Sequence, residues 1–187
     1  YFNKPEATAA ITKEIDGEKW FCTGDVGTFV KGPNGENFLK ITDRKKELLK
    51  TSGGKYVAPA PIENKLKENF LIEQVMVVGE KKKFVSALIV PAEEALQDWC
   101  KNNGVAWTSI TEVIQHPKVI AAYQEAIDEA NPNFSKTEKI KKFSLVPGPW
   151  EPVKADGSKA ELTPTLKLKR RVIVEKYDDM IDEIYDV

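Results

Sequence analysis

The chain has 187 residues, 41% of them hydrophobic and 30% charged, enough to bury the core of one domain or of one domain with an appendage. With 28 Lys+Arg against 29 Asp+Glu its surface is near neutral, which argues against a nucleic-acid binder. Its apolar runs fall far short of the ~20 residues a membrane span needs.

Two distant cysteines, Cys22 and Cys100, and a single histidine, His116, give no basis for a disulfide scaffold or a zinc site. Both thiols are expected to be core or near-surface groups in a reducing, cytoplasmic compartment. The opening Tyr1-Phe2-Asn3-Lys4-Pro5 is neither an initiator Met nor a signal peptide, and the chain reads as cut from something longer.

Pro5 suits the first turn of a short helix through Ala9, Ala10 and Ile11, with Asp16-Gly17 as its stop. Residues 28–30 and 38–42, separated by Gly32-Pro33-Asn34-Gly35, predict a β-hairpin. The charge run 43–47, then Leu48-Leu49 and the break Ser52-Gly53-Gly54, places a domain boundary between 1–43 and 44–187. Pro61 opens a helix with Ile62, Leu66 and Phe70 on one face.

Residues 74–78 and 84–90 predict a second hairpin, ended by Pro91. Helices follow over 92 to about 102, closed by Gly104, and over 117 to about 130, stopped by Asn131-Pro132. The stretch 93–135 reads as an insertion without a chemical role. Residues 142–146 suggest another strand, 147–152 carry three prolines and must be a loop that runs to about 165, and 169–185 predict one closing helix. The expected class is α+β, a small mixed sheet with covering helices.

Three segments carry groups suited to chemistry. In Thr23-Gly24-Asp25-Val26-Gly27 the Asp25 carboxylate, set beside glycines, can accept from two neighbouring hydroxyls such as those of a ribose; an ordinary turn aspartate looks the same. In 42–63, Arg44 offers fixed donors for a polyol or phosphate and Gly53-Gly54 allows a tight turn or the close approach of a narrow ligand, while the bland alternative is a solvated basic strand and turn. Thr51-Ser52-Gly53-Gly54-Lys55 lacks the spacing of a P-loop, and Tyr56 stands where a Ser or Thr would hold Mg2+. In 162–171, Lys167 sits on a loop before a basic helix start, where a compact charge can neutralise oxygens that gain charge as a carboxylate attacks a phosphate; a basic linker is the alternative.

In this order the three segments resemble the late motifs of the adenylate-forming superfamily, which includes acyl-CoA synthetases, adenylation domains and luciferases. Residues 52–63 and 162–171 point to its long-chain acyl-CoA synthetase branch. The resemblance implies that 1–43 is the end of the large AMP-binding domain and 44–187 the small mobile lid. It implies that Asp25 binds the ribose hydroxyls of ATP and AMP, that Arg44 makes a second ribose contact, and that Lys46 is the hinge about which the lid rotates between adenylation and thioester formation.

Gly53 and Gly54 are implied to face the pantetheine channel of CoA, and Lys55 falls where some relatives carry an Arg near the phosphate. Lys167 is implied to be the catalytic lysine of adenylation, contacting the fatty carboxylate and the α-phosphate. Many relatives have Gly just before this lysine; Leu166 departs from that, as is usual in the long-chain branch.

The implied reaction joins a long-chain fatty acid to CoA through an acyl-adenylate, with ATP and CoA as substrates, pyrophosphate and AMP as products, and Mg2+ in the full-length enzyme. The partner is the enzyme's own large domain. Nothing is expected to bind tightly to this piece, which lacks the family's phosphate loop and is expected to be inert alone. Two alternatives stay open: an adenylation domain that loads a carrier-protein thiol, and a non-catalytic module that keeps the lid fold. No residue here argues for or against a peripheral membrane association of the whole enzyme.

Overall fold

A computed structural model describes residues 1–186. The backbone compacts into two units, one ending at Leu48 and the other starting at Leu49.

The first unit begins with α1 (Pro5–Ile11), its proline in the first turn where a missing N–H costs nothing. It continues directly into β1 (Thr12–Ile15) and β2 (Glu18–Phe21), an antiparallel pair. Asp16 and Gly17 are not a helix stop but the two central residues of the hairpin turn, both in the left-handed region at φ +54° and +80°. β3 (Asp25–Lys31) and β4 (Asn37–Arg44) form the expected second hairpin, with a bulge at Val26/Gly27. Only Asp43 is buried in this unit, while Trp20, Phe21, Phe29, Phe38, Leu39 and Ile41 are all more than half exposed. The compact unit runs past residue 43 because Asp43 and Arg44 belong to the β4 ladder, opposite Val26 and Asp25.

The second unit opens with a two-residue ribbon, β5 (Leu49–Lys50) and β6 (Tyr56–Val57), followed by α2 (Pro59–Leu66). The helix starts two residues before Pro61, so both prolines lie in its first turn. Because it ends at Leu66, Phe70 falls outside it and is 67% exposed. β7 (Ile72–Val78) and β8 (Ser86–Pro91) pair antiparallel, then α3 (Glu93–Asn102), α4 (Ile110–Val113) and α5 (Pro117–Ala130) lead to β9 (Phe143–Leu145), which pairs with β8 in parallel. Parallel pairing needs a long return connection, and 92–142 is that connection. The helices over 93–135 are therefore the crossover of the sheet rather than an insertion.

The sheet is covered on both faces, which explains the unbroken apolar runs in β7 and β8. Alternation sends Val75, Val77, Ala87 and Ile89 into one core with Ile62, Leu66, Leu96, Val119, Tyr123 and Ile127. Met76, Val78, Leu88 and Val90 enter a second core with Trp150, Ile173, Ile181 and Ile184. The closing segment is two helices, α6 (Arg170–Lys176) and α7 (Asp178–Tyr185), broken at Tyr177. Asp178 and Asp179 then sit in the first turn of α7, where the helix dipole favours them.

Cys22 is exposed and Cys100 fully buried, where desolvation pushes its thiol pKa up. Among the described residues no helix is long and apolar enough to cross a membrane.

Candidate functional site

The hairpin register of the first unit brings two of the nominated residues together. Asp25 opens β3 directly opposite Arg44, the last residue of β4, and the Arg44 Nε lies 3.5 Å from the Asp25 Oδ1. The approach is set by backbone: Gly24 takes φ +82°, its carbonyl accepts the Lys45 amide at 2.7 Å, and the Asp25 amide donates to the Thr23 hydroxyl at 3.1 Å. Buried Asp43 caps the Arg44 amide at 2.6 Å. The carboxylate is one-third exposed and the guanidinium about two-thirds, so an acceptor and a fork of donors stand side by side at the surface, a pairing suited to a vicinal diol. Lys46 lies in the exposed turn just after, which is closed by the Glu47 amide on the Arg44 carbonyl at 2.9 Å.

Gly53, Gly54 and Lys55 share the turn between β5 and β6 and all are exposed. The turn is closed by Thr51, whose amide and hydroxyl both donate to the Lys55 carbonyl, at 2.9 and 3.1 Å. It is laced to the β7–β8 loop by the Ser52 amide on the Lys82 carbonyl, the Lys81 amide on the Lys50 carbonyl, and the Lys50 amide on the Glu80 carboxylate at 2.7 Å. Gly54 needs to be glycine for its φ of +74°, but a Cβ added at Gly53 would meet nothing within 4 Å. The unit itself places no demand for glycine at position 53.

Lys167 is exposed on a separate tight loop. The Thr163 amide donates to the Lys167 carbonyl at 2.8 Å, and the Lys167 amide returns a bond to the Thr163 hydroxyl at 3.0 Å. Leu162 and Leu168 pair across the loop's base.

Below that base lies a group that sequence reasoning missed. Glu161 is fully buried, and its carboxylate accepts from Lys176 at 2.7 Å, from Lys154 at 3.1 Å and from the Glu151 amide at 3.3 Å. Burial alone would raise its pKa, but the hydrogen bonds from Lys176, Lys154 and backbone amides outweigh that and bring it down to about 2. A second buried carboxylate, Glu63 on α2, binds Arg170 at 2.8 Å and the Val77 amide at 2.8 Å, fixing the start of α6 three residues beyond Lys167. Neither carried a sequence signal beyond the glutamate itself, flanked by Ala160 and Leu162 in one case and by Ile62 and Asn64 in the other.

A surface depression of about 530 Å³ between α2 and α5, lined by residues such as Phe70, Trp99 and Glu125, contains none of the nominated residues.

Residues 46–187 match the family described as AMP-binding enzyme C-terminal domain. The chain belongs to that family. Over 98% of its length it is 40% identical to long-chain-fatty-acid–CoA ligase FadD15 of Mycobacterium tuberculosis, covering 28% of that protein. It is 35% identical to long-chain-fatty-acid–CoA ligase ACSBG2 of Gallus gallus, with 99% of this chain and 25% of that protein covered. The chain thus spans about a quarter of the length of these curated relatives.

Its fold is shared with the A-PCP didomain of carboxylic acid reductase from Segniliparus rugosus in complex with AMP, at a TM-score of 0.71 and 23% identity, covering all of this chain and 23% of that one. The adenylation domain of a Mycobacterium chelonae carboxylate reductase gives 0.69 at 24% identity, with 100% and 26% covered. In this AMP-binding enzyme C-terminal domain, Leu166 takes φ +58°, the left-handed conformation that glycine adopts without penalty. The residue is 68% exposed, and its amide donates to the Thr163 carbonyl at 2.9 Å.

Proposed function

We propose that the chain is the C-terminal part of an ATP-dependent long-chain-fatty-acid–CoA ligase, with residues 1–43 closing the large AMP-binding domain and 44–187 forming its mobile lid. The observation that carries this reading is 40% identity, over nearly the whole chain, to a protein named for that reaction. The exposed aromatic and aliphatic side chains of the first unit support it, since a pair of two-stranded hairpins with one buried residue is not independently stable and calls for a larger body to cover it.

The chemistry follows from the geometry of each group. Asp25 accepts from the ribose hydroxyls of ATP and AMP, and Arg44, held beside it, donates to the same sugar. Lys167, at the tip of its closed loop, neutralises charge that builds on the α-phosphate as the fatty carboxylate attacks and pyrophosphate leaves. After rotation at Lys46 the glycine turn replaces it at the acyl-adenylate. Gly53 and Gly54 border the path of the pantetheine arm and Lys55 lies near the phosphate, so the CoA thiol reaches the acyl carbon and displaces AMP. A Cβ at Gly53 would meet nothing within the chain, so in this reading any need for bare backbone there comes from the ligand.

In this reading the Mg2+ that accompanies ATP is held by the rest of the enzyme. The chain by itself is inactive in this reading. The acceptor is CoA and not a carrier protein, on the strength of the relatives' names, and supplying both acceptors to the same enzyme distinguishes them.

The test is fatty-acid-dependent ATP–pyrophosphate exchange by the full-length enzyme, wild type against Lys167→Ala. Exchange with long acyl chains that falls by about 10²–10³ in the variant supports the reading. Absence of exchange with any fatty acid in the wild type, or exchange indifferent to Lys167, refutes it.

A further inference from the structure

We infer that Glu161 is a positioning residue for adenylation, whose buried carboxylate ties the stretch after β9 and the end of α6 into the base of the loop that presents Lys167. This rests on the ligase reading above and deepens it, since it names what holds the lysine in place.

The two segments lie on either side of the lysine loop in sequence. The Glu151 amide and the Lys154 ammonium both come from the stretch after β9, three residues apart, and Lys176 comes from the last turn of α6. The main chain of Glu161 adds to the same joint, because its carbonyl accepts the Lys169 amide at 2.7 Å. Just inside that bond, the Leu162–Leu168 bridge and the paired bonds between Thr163 and Lys167 close the tip on itself. A loop closed in this way moves as one piece, so the direction of Lys167 is set at its base, and the base converges on one carboxylate.

Stability alone does not call for a carboxylate here. Replacing a buried ion pair by well-packed apolar side chains of similar volume is often neutral or stabilising. What the carboxylate adds is register: it accepts only when both ammonium groups and the amide are in place. Glu63 and Arg170 hold the start of α6 independently, so loss of Glu161 loosens the loop without releasing the helix.

The role separates the two half-reactions, because Lys167 serves the first and the glycine turn serves the second. In the full-length enzyme, Glu161→Gln lowers kcat for ATP–pyrophosphate exchange roughly 10-fold with KM for ATP little changed, as expected for a displaced catalytic group. Acyl transfer to CoA from supplied acyl-adenylate stays within about twofold. Lys176→Met removes one donor from a half-exposed position and shows the same selective loss; it serves where Glu161→Gln does not fold. Equal loss in both half-reactions, or no loss of exchange, overturns the inference, since a merely structural residue affects both. Lys167→Ala in parallel separates the two claims. Exchange that ignores Lys167→Ala sinks the ligase reading, whereas exchange that needs Lys167 but tolerates both other variants sinks this inference alone.

Discussion

Acid should destabilise the second unit over a window set by Glu161. The carboxyl has a pKa of 4.5 when unfolded and about 2 when folded, so between those values the unfolded chain binds the extra proton. Stability from this group is complete above about pH 4.5 and is lost as pH falls towards 2. The difference corresponds to at most about 3 kcal/mol, and because Lys176 is half exposed solvent screening brings the effect below that bound. Lys154 and Lys176 shift the other way: despite burial, hydrogen bonds to Glu151 and Glu161 raise the pKa of Lys154, and the bond to Glu161 raises that of Lys176. Their contribution is complete below the ordinary lysine pKa of 10.5 and is lost only as pH rises beyond it, so they do not interfere in acid. The assay is urea unfolding followed by tryptophan fluorescence in a variant that keeps only Trp150, which is 2% exposed in the core beside this joint, at steps from pH 6 to pH 2. Wild type should exceed Glu161→Gln by a margin that is flat above pH 5 and shrinks steadily below it. A margin that does not change with pH shows that the carboxylate is not held ionised by its partners.

Two further substitutions test backbone and space. Leu166→Gly removes a left-handed penalty of about 1–2 kcal/mol and adds back about 0.5–1 kcal/mol of chain entropy, so the net effect is a small stabilisation, read as a higher urea midpoint; a clear loss shows that the leucine side chain makes contacts the exposed position does not suggest. Gly54→Ala should cost about 1–2 kcal/mol for its positive φ, whereas Gly53→Ala should leave stability within about 0.5 kcal/mol and raise KM for CoA in the whole enzyme. Equal destabilisation by both changes contradicts the open space at Gly53.

The hairpins at β3–β4 and β7–β8 were legible because turn residues and strand-like runs agreed. Asp16-Gly17 also carried turn chemistry, but the flanking Thr12–Ile15 and Glu18–Phe21 are so rich in charge that they lacked a strand signal. β5 and β6 have two residues each, too few for any periodicity. The break at Tyr177 was hidden because Ile173, Tyr177, Ile181 and Ile184 keep helical phase across it. At the site, the adjacency of Asp25 and Arg44 depends on a bulged register that no local pattern specifies. Glu161 and Glu63 were passed over because a glutamate reads as surface until the chain is folded around it. The resemblance named the residues proposed to touch substrate, and the groups that hold them emerge only from the folded chain.

The parallel strand β9 fixes an order of assembly. β7 and β8 are joined by a short loop and can pair as soon as both are synthesised, within microseconds. β9 cannot reach the edge of β8 until α3, α4 and α5 have been made and folded back, because the whole crossover 92–142 separates the two. Lys167 and its supporting helices come later still. The glycine turn and the β7–β8 hairpin it is laced to therefore leave the ribosome well before the lysine loop, and the two loops proposed to serve successive half-reactions are synthesised in the reverse of the order in which they act.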